Sequence, residues 1–231
     1  MTNFVTVDSI YGYFILNRHD RYQYLPLKNK KVPHINNEIE KILQILSDLG
    51  DNLIILDGGS NIGLITIPVA KKIKCEVHSF EPQKQIFYCL CGNVVINNLN
   101  NVTTYNQGLG DKNKTMFVPY IDYDKGRDFG DVELNYENGD PIEIATIDYL
   151  NFEKLDFIKL DIESMEIEAL RGGRETIKKF RPWCWIEYIK SNINDLTEFF
   201  KELNYNVYIV DEANIVAVPN DVIYSWMKEK L

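Results

Sequence analysis

Apolar positions along this chain gather into short runs, with longer stretches between them in which apolar residues recur at helical spacing. The runs Leu53-Ile54-Ile55-Leu56, Val77 to Phe80, Val102 to Asn106, Phe157 to Leu160 and Trp183 to Tyr188 are strand-length. The first has no polar alternation, which describes a strand covered on both faces. The spacing predicts helices over Ile62 to Lys72 and Gln83 to Asn97, with Pro68 expected to kink or shorten the former because it lacks a backbone donor. Strand and helix in alternation give an α/β fold, a doubly wound, mostly parallel sheet with helices on both faces.

Ahead of this core the pattern predicts a strand or hairpin around Tyr11 to Leu16 and a polar, proline-marked stretch to Pro33. A helix follows over residues 36–49, where Ile39, Ile42, Leu43, Leu46 and Leu49 share a face, Asn36 or Asn37 can cap and Gly50 ends the helix. Residues 1–50 thus form a lead-in packed on the first core strand, and residues 51–231 the main unit of what is expected to be a single domain. Between Pro119 and Asp140 the text turns to Tyr, Gly and acids: a hairpin, a lid over the open end of the sheet, or a solvated excursion. No internal repeat or low-complexity tract is visible.

The chain has 231 residues, 45% of them hydrophobic, enough for a full core, and a formal charge of −9. That charge argues against nucleic acid, whose binding needs clustered Lys and Arg; Lys28, Lys30 and Lys31 read as a solvated loop. No apolar run has bilayer length, and Met1 to Val5 lacks the charged and apolar regions of a signal peptide. Cys75, Cys89, Cys91 and Cys184 form no CxxC pair, so a reduced cytoplasmic setting without structural zinc or a membrane partner is expected. The oligomeric state is not readable.

The chemistry starts at Asp57-Gly58-Gly59-Ser60-Asn61-Ile62-Gly63, a strand end running into a glycine turn that lets the backbone approach a ligand. Glu81, in Ser79-Phe80-Glu81-Pro82, follows Asp57 by 24 residues (81 − 57). An acid at that distance falls at the tip of the neighbouring strand, where it can accept both ribose hydroxyls of a nucleoside. A dinucleotide needs GxGxxG facing its pyrophosphate, whereas a carboxylate at position 57 suits a ligand with positive charge. S-adenosylmethionine, with an ammonium and a sulfonium, meets both demands.

A second strand, Phe157 to Leu160, also ends in acids, Asp161 and Glu163, so Asp161 and Asp57 are expected to line one crevice. Ser164 can cap the helix carrying Met165, Ile167 and Leu170, which Gly172 and Gly173 terminate. The bland alternative makes the two acids favourable charges near a helix amino terminus.

DGGSNIG at 57–63, SFEP at 79–82, Asn101-Val102, GLGD at 108–111, TIDYL at 146–150, DFIKLDIESMEIEALRGG at 156–173 and RPWCWIEY at 181–188 together resemble the FkbM family of S-adenosylmethionine-dependent methyltransferases. The resemblance runs from about Leu53 to Pro219, including strands at 206–210 and 215–218. It implies a Rossmann-like class I methyltransferase sheet with one antiparallel strand near the C-terminus. It also puts Asp57, Gly58, Gly59, Asn61 and Gly63 around the methionine part of the cofactor, Glu81 on the ribose and Gln107 near adenine. Where the family has Glu-Gly-Ala-Glu, this chain has Glu163-Ser164-Met165-Glu166, so a glycine suited to an unusual backbone angle is replaced.

The implied reaction is O-methylation of a sugar or glycan precursor, or of another small metabolite. A hydroxyl nucleophile needs a base within reach. Glu163 is the preferred base and Asp161 the preferred cofactor or metal contact; Glu187 is a third catalytic candidate and His34 a reserve. A divalent cation held by these oxygens is an alternative, although no ligand spacing marks one and no metal residue is named. Trp183, Trp185 and Tyr188 either stack on a sugar or pack in the core. Two rival readings are a nicotinamide oxidoreductase, opposed by the missing GxGxxG, and an inactive cofactor-binding subunit.

Overall fold

The computed structural model of the protein describes residues 3–221. A hairpin of β1 (Phe4–Ser9) and β2 (Gly12–Asn17) leads into helices α1 (Arg21–Lys30) and α2 (Asn36–Leu49). Then come β3 (Leu53–Gly58), α3 (Thr66–Lys72), β4 (Cys75–Phe80), α4 (Lys84–Ile96) and β5 (Val102–Tyr105). Three strands, β6 (Gly108–Leu109), β7 (Lys114–Val118) and β8 (Asp140–Ala145), make a separate small sheet. After a 3-10 turn at Asp148–Leu150 the chain continues as β9 (Phe157–Leu160), α5 (Glu166–Arg171), α6 (Arg174–Phe180), β10 (Trp183–Glu187), α7 (Ile193–Glu202), β11 (Tyr205–Ile209) and β12 (Asn214–Pro219).

The main sheet has the order β11-β12-β10-β9-β3-β4-β5. Every pairing is parallel except those of β12, which runs antiparallel to both β10 and β11. Strand order reverses between β3 and β9, the chain having moved outward through β4 and β5 before returning. The loops leaving the carboxyl ends of these two strands turn to opposite sides and leave a crevice beyond the strand tips, the place where sheets of this kind bind ligands. Both strands are largely apolar because both faces are covered: Leu53, Ile55, Leu56, Phe157, Ile158 and Leu160 are all buried, and the buried exceptions, Asp57 and Lys159, face each other.

The lead-in shares a core with the sheet. Tyr11, Phe14, Leu16, Leu27, Ile39, Ile42 and Leu46 cluster with Leu53, Ile55, Trp183 and Trp185. The open edge of β2 is met by two asparagines one turn apart on α4. Asn93 accepts from the Ile15 N–H and donates to the carbonyls of Ile15 and Ile62, while Asn97 accepts from and donates to the backbone of Tyr13. Edge groups that would otherwise invite another strand are thus satisfied within the molecule.

Several local expectations are corrected. The stretch before Pro33 contains α1, in which Pro26 sits inside the helix and Asp20 caps it through the Gln23 N–H at 3.1 Å. Neither Asn36 nor Asn37 caps α2, whose N-cap is Ile35; Asn36 instead accepts from the Tyr11 hydroxyl at 2.8 Å. Residues 62–65 are turn, and α3 begins only at Thr66, so Pro68 lies in the first turn, where a missing N–H costs nothing. Ser164 does not cap α5, which starts after Met165; the Glu166 carboxylate turns back onto the Ile162 N–H at 2.8 Å. Ser164 has φ +79° and Glu163 φ +56°, so the turn keeps the left-handed shape that a glycine would ease.

Candidate functional site

The loop after β3 is built around Gly59. Its φ is +72°, and a β-carbon there would lie 1.7 Å from the Asp161 carbonyl oxygen, so the two strand ends meet in van der Waals contact only because this residue has no side chain. The Gly59 and Ser60 N–H groups bond the Phe80 carbonyl, which ties the loop to the end of β4. Glu81 follows directly. Its buried carboxylate accepts from the Asn61 N–H at 2.9 Å and the Gln83 N–H at 2.8 Å, which fixes its position, and burial pushes it up to about 7.

Two adjoining spaces open on this loop. A narrow cleft of about 80 Å³ runs past Gly59, Asn61, Phe80, Glu81, Gln107, Leu109, Asp161 and Met165. A larger cavity of about 420 Å³ lies on the other side of Asn61 and Asp161, walled by Gln23, His34, Glu38, Asp128, Asp131, Lys159, Glu163, Glu187 and Lys190. Gly59, Asn61, Gly130, Asp161 and Glu163 border both. A ligand in the cleft thus has one end facing whatever occupies the cavity.

The sequence candidates divide between inside and outside. Gly59, Asn61, Glu81, Gln107, Asp161 and Glu163 line the cleft, and Glu187 and the reserve His34 line the cavity. Asp57, Gly58 and Gly63 line neither. The expected crevice position of Asp57 is corrected: it is 1% exposed, accepts from the Thr66 hydroxyl at 2.6 Å and lies 3.6 Å from Lys159 Nζ. Strand register explains this, since Asp57 pairs directly with Lys159 across β3 and β9 and the two side chains meet beneath the loop. Trp183 and Trp185 belong to the core, and the Trp185 indole donates to Glu38 at 3.1 Å and Asn214 at 2.9 Å. Tyr188 packs against the second core cluster.

Lys159, Glu38, Gln23 and Lys190 are among the site residues that sequence reasoning missed. A lysine inside the run Phe157 to Leu160 was the available signal, because a buried cation must be paired. Lys159 donates to the Gly59 carbonyl at 3.0 Å and sits 3.4 Å from Asp161. Burial works against its charge, but Asp161 and Asp57 outweigh it and hold the ammonium above its usual range. Glu38 gave no such signal; burial pushes it up to about 7.

The remaining carboxylates differ in their partners. Glu163 is 2.6 Å from Lys190, which also bonds Asp131. Glu187 has no ion-pair partner among the described residues, and burial, with Asp161 and Glu163 nearby, raises it well above the ordinary range. Among the described residues no three His, Cys, Asp or Glu side chains converge as metal ligands.

The segment between β7 and β8 roofs the site. Phe129 is wholly buried, its carbonyl accepts from Gln83 Nε2 at 2.7 Å, and Gly130, Val132 and Leu134 form a wall of the cleft.

The methyltransferase FkbM domain matches residues 57–207, from the end of β3 to within β11. The chain belongs to the FkbM methyltransferase family. An FkbM methyltransferase structure from Methylobacillus flagellatus KT superposes with TM-score 0.53 at 21% identity, over 80% of this chain and 51% of that one, so the chain spans about half the length of that relative. Magnesium protoporphyrin IX methyltransferase from Synechocystis PCC 6803, solved with bound S-adenosylmethionine, gives TM-score 0.52 at 12% identity, covering 84% of each chain. The Pyrococcus abyssi tRNA (uracil-54, C5)-methyltransferase, in complex with S-adenosyl-L-homocysteine, gives 0.50 at 13% over 94% of this chain and 44% of that one. At such identities these structures share the fold. No curated protein matches the chain. The glycine loop, Glu81 and Asp161 lie inside the matched span, whereas Gln23, His34 and Glu38 lie before it. No described helix is long and apolar enough to cross a membrane.

Proposed function

We propose that this FkbM-family chain is an S-adenosylmethionine-dependent O-methyltransferase acting on a hydroxyl of a sugar or glycan precursor. One observation carries the reading: a buried carboxylate, Glu81, stands at the tip of β4 against the glycine loop, and the cleft it lines opens directly onto a polar cavity of about 420 Å³. That volume lies within the ~300–1,000 Å³ usual for small-molecule sites. Carboxylates outnumber cations on its wall, giving acceptor atoms for a ligand rich in hydroxyls.

The residues fit the cofactor. Glu81 keeps free lone pairs for two ribose hydroxyls, Gln107 and Phe80 border the adenine end, and Asp161 faces the end where positive charge must rest. When bound, S-adenosylmethionine supplies an electrophilic methyl group on a sulfonium. The chain must align an acceptor oxygen with that carbon and sulfur, and keep water out. Methyl transfer to a hydroxyl would also require a residue to take the hydroxyl proton. Glu187 is better suited to this than Glu163, because Lys190 pairs directly with Glu163 and stabilises its ionised form, whereas at Glu187 burial, Asp161 and Glu163 outweigh the more distant Lys159. Glu187 would take the hydroxyl proton from the acceptor.

Mass spectrometry of a sugar pool incubated with the protein and S-adenosylmethionine tests this. A gain of one methyl on a hydroxylated acceptor is expected. Cofactor binding without transfer to any hydroxyl would favour an inactive subunit, and NADH binding in its place would favour an oxidoreductase.

A further inference from the structure

We infer that the acceptor carries a protonated amine beside its hydroxyls, an amino sugar or aminocyclitol, and that the lead-in ahead of the family domain recognises it through Gln23 and Glu38. This deepens the methyl-transfer reading and rests on it. Gln23 is 4% exposed, lines the cavity, and its amide oxygen has no hydrogen-bond partner. A buried amide left unpaired costs about 1–3 kcal/mol, a cost removed when a bound group donates to it. The oxygen of an amide accepts only, so the missing partner is an N–H or O–H.

Charge narrows the choice. Both lysines on the cavity wall are committed, Lys159 to Asp57 and Asp161, Lys190 to Asp131, Glu133 and Glu163. Glu38, Asp128 and Glu187 line the same cavity without an ion-pair partner among the described residues. A phosphate or carboxylate on the acceptor would meet these groups without a spare cation, whereas an ammonium would relieve their mutual repulsion and donate three hydrogen bonds. The described residues offer no converging metal ligands, so an organic cation suits the cavity better than a divalent ion. Tyr22, beside Gln23 and 61% exposed at the cavity wall, offers a ring face to the sugar body. Tyr22, Gln23 and Glu38 all precede residue 57, so this recognition is a property of the lead-in.

The test is a matched acceptor panel: amino sugars and aminocyclitols, their neutral hydroxyl counterparts, and the corresponding uronic acids and sugar phosphates. Methyl transfer from S-adenosylmethionine is followed by mass spectrometry, with cofactor affinity measured separately by calorimetry. Amine-bearing members should show kcat/KM at least about tenfold above their neutral counterparts, with no transfer to anionic ones. Glu38→Gln should shrink that preference and Gln23→Leu should lower kcat/KM about tenfold or more, both with unchanged cofactor affinity, which also reports that the variants are folded. Equal or better transfer to anionic members, transfer to neutral members alone, or no transfer to any member while the cofactor binds overturns the inference. Failure of the protein to bind the cofactor at all would instead strike the methyl-transfer reading.

Discussion

Glu163 and Glu187 sit in one cavity with different surroundings, and the proposed roles rest on that difference. Glu163 shares Lys190 with Asp131, while Glu187 has no ion-pair partner among the described residues and feels Asp161 and Glu163 more strongly than Lys159. Glu187→Gln should lower kcat by about 100-fold or more with cofactor affinity retained, as loss of a general base does, and Glu163→Gln should cost less. Steady-state kinetics of the two variants decides between them. The same buried acids set a pH dependence. Burial pushes Glu38 and Glu81 up to about 7 from 4.5 and also raises Glu187, so the folded state holds these protons more tightly than the unfolded chain. Their contribution is complete below 4.5 and is lost as pH rises through 7. His34 and His78, lowered by burial, act only below 6.5. The ligand-free protein should therefore melt lower at about pH 8.5 than at about pH 6.5, and Glu187→Gln should flatten that slope in thermal scans.

At the scale of elements, the runs of Leu53 to Leu56 and Phe157 to Leu160 were legible because a strand buried on both faces has no polar alternation to confuse with a helix. The periodic helix at Asn36–Leu49 was equally plain. Helix α1 was not, since Pro26 and its polar neighbours read as a loop when no tertiary partner is visible; Leu27 and Gln23 are buried only because the hairpin and the sheet lie beneath them. The small sheet escaped for a similar reason, β6 having two residues and β7 and β8 being joined across a long acidic segment. Of the site, Glu81 and Asp161 followed from strand ends, but the sequence could not say that the Asp57 side chain turns inward to Lys159. That depends on the register of two strands a hundred residues apart. The stitching of β2 to α4 by Asn93 was equally invisible. Asn93→Ala removes three hydrogen bonds, one of them wholly buried, and should destabilise the protein by about 2–3 kcal/mol, read from urea unfolding.

Across the whole molecule, a strand-order reversal opens a crevice, a glycine loop narrows it, and the segment between β7 and β8 covers it. The cleft of about 80 Å³ is walled on this side by Gly130, Val132 and Leu134, so the segment 128–134 is expected to adjust when a nucleoside enters. Amide exchange in that segment should slow when S-adenosylmethionine binds, as hydrogen-exchange mass spectrometry can follow; exchange unchanged by the cofactor would remove the segment as a lid. The central claim is that a nucleoside is held at Glu81, and calorimetric titration of S-adenosylmethionine into the protein and its Glu81→Ala variant tests it most directly. Saturable binding to the parent protein, weakened about 10- to 100-fold in the variant, is the predicted result. Equal affinity in the two, or no binding to the parent protein, would contradict it.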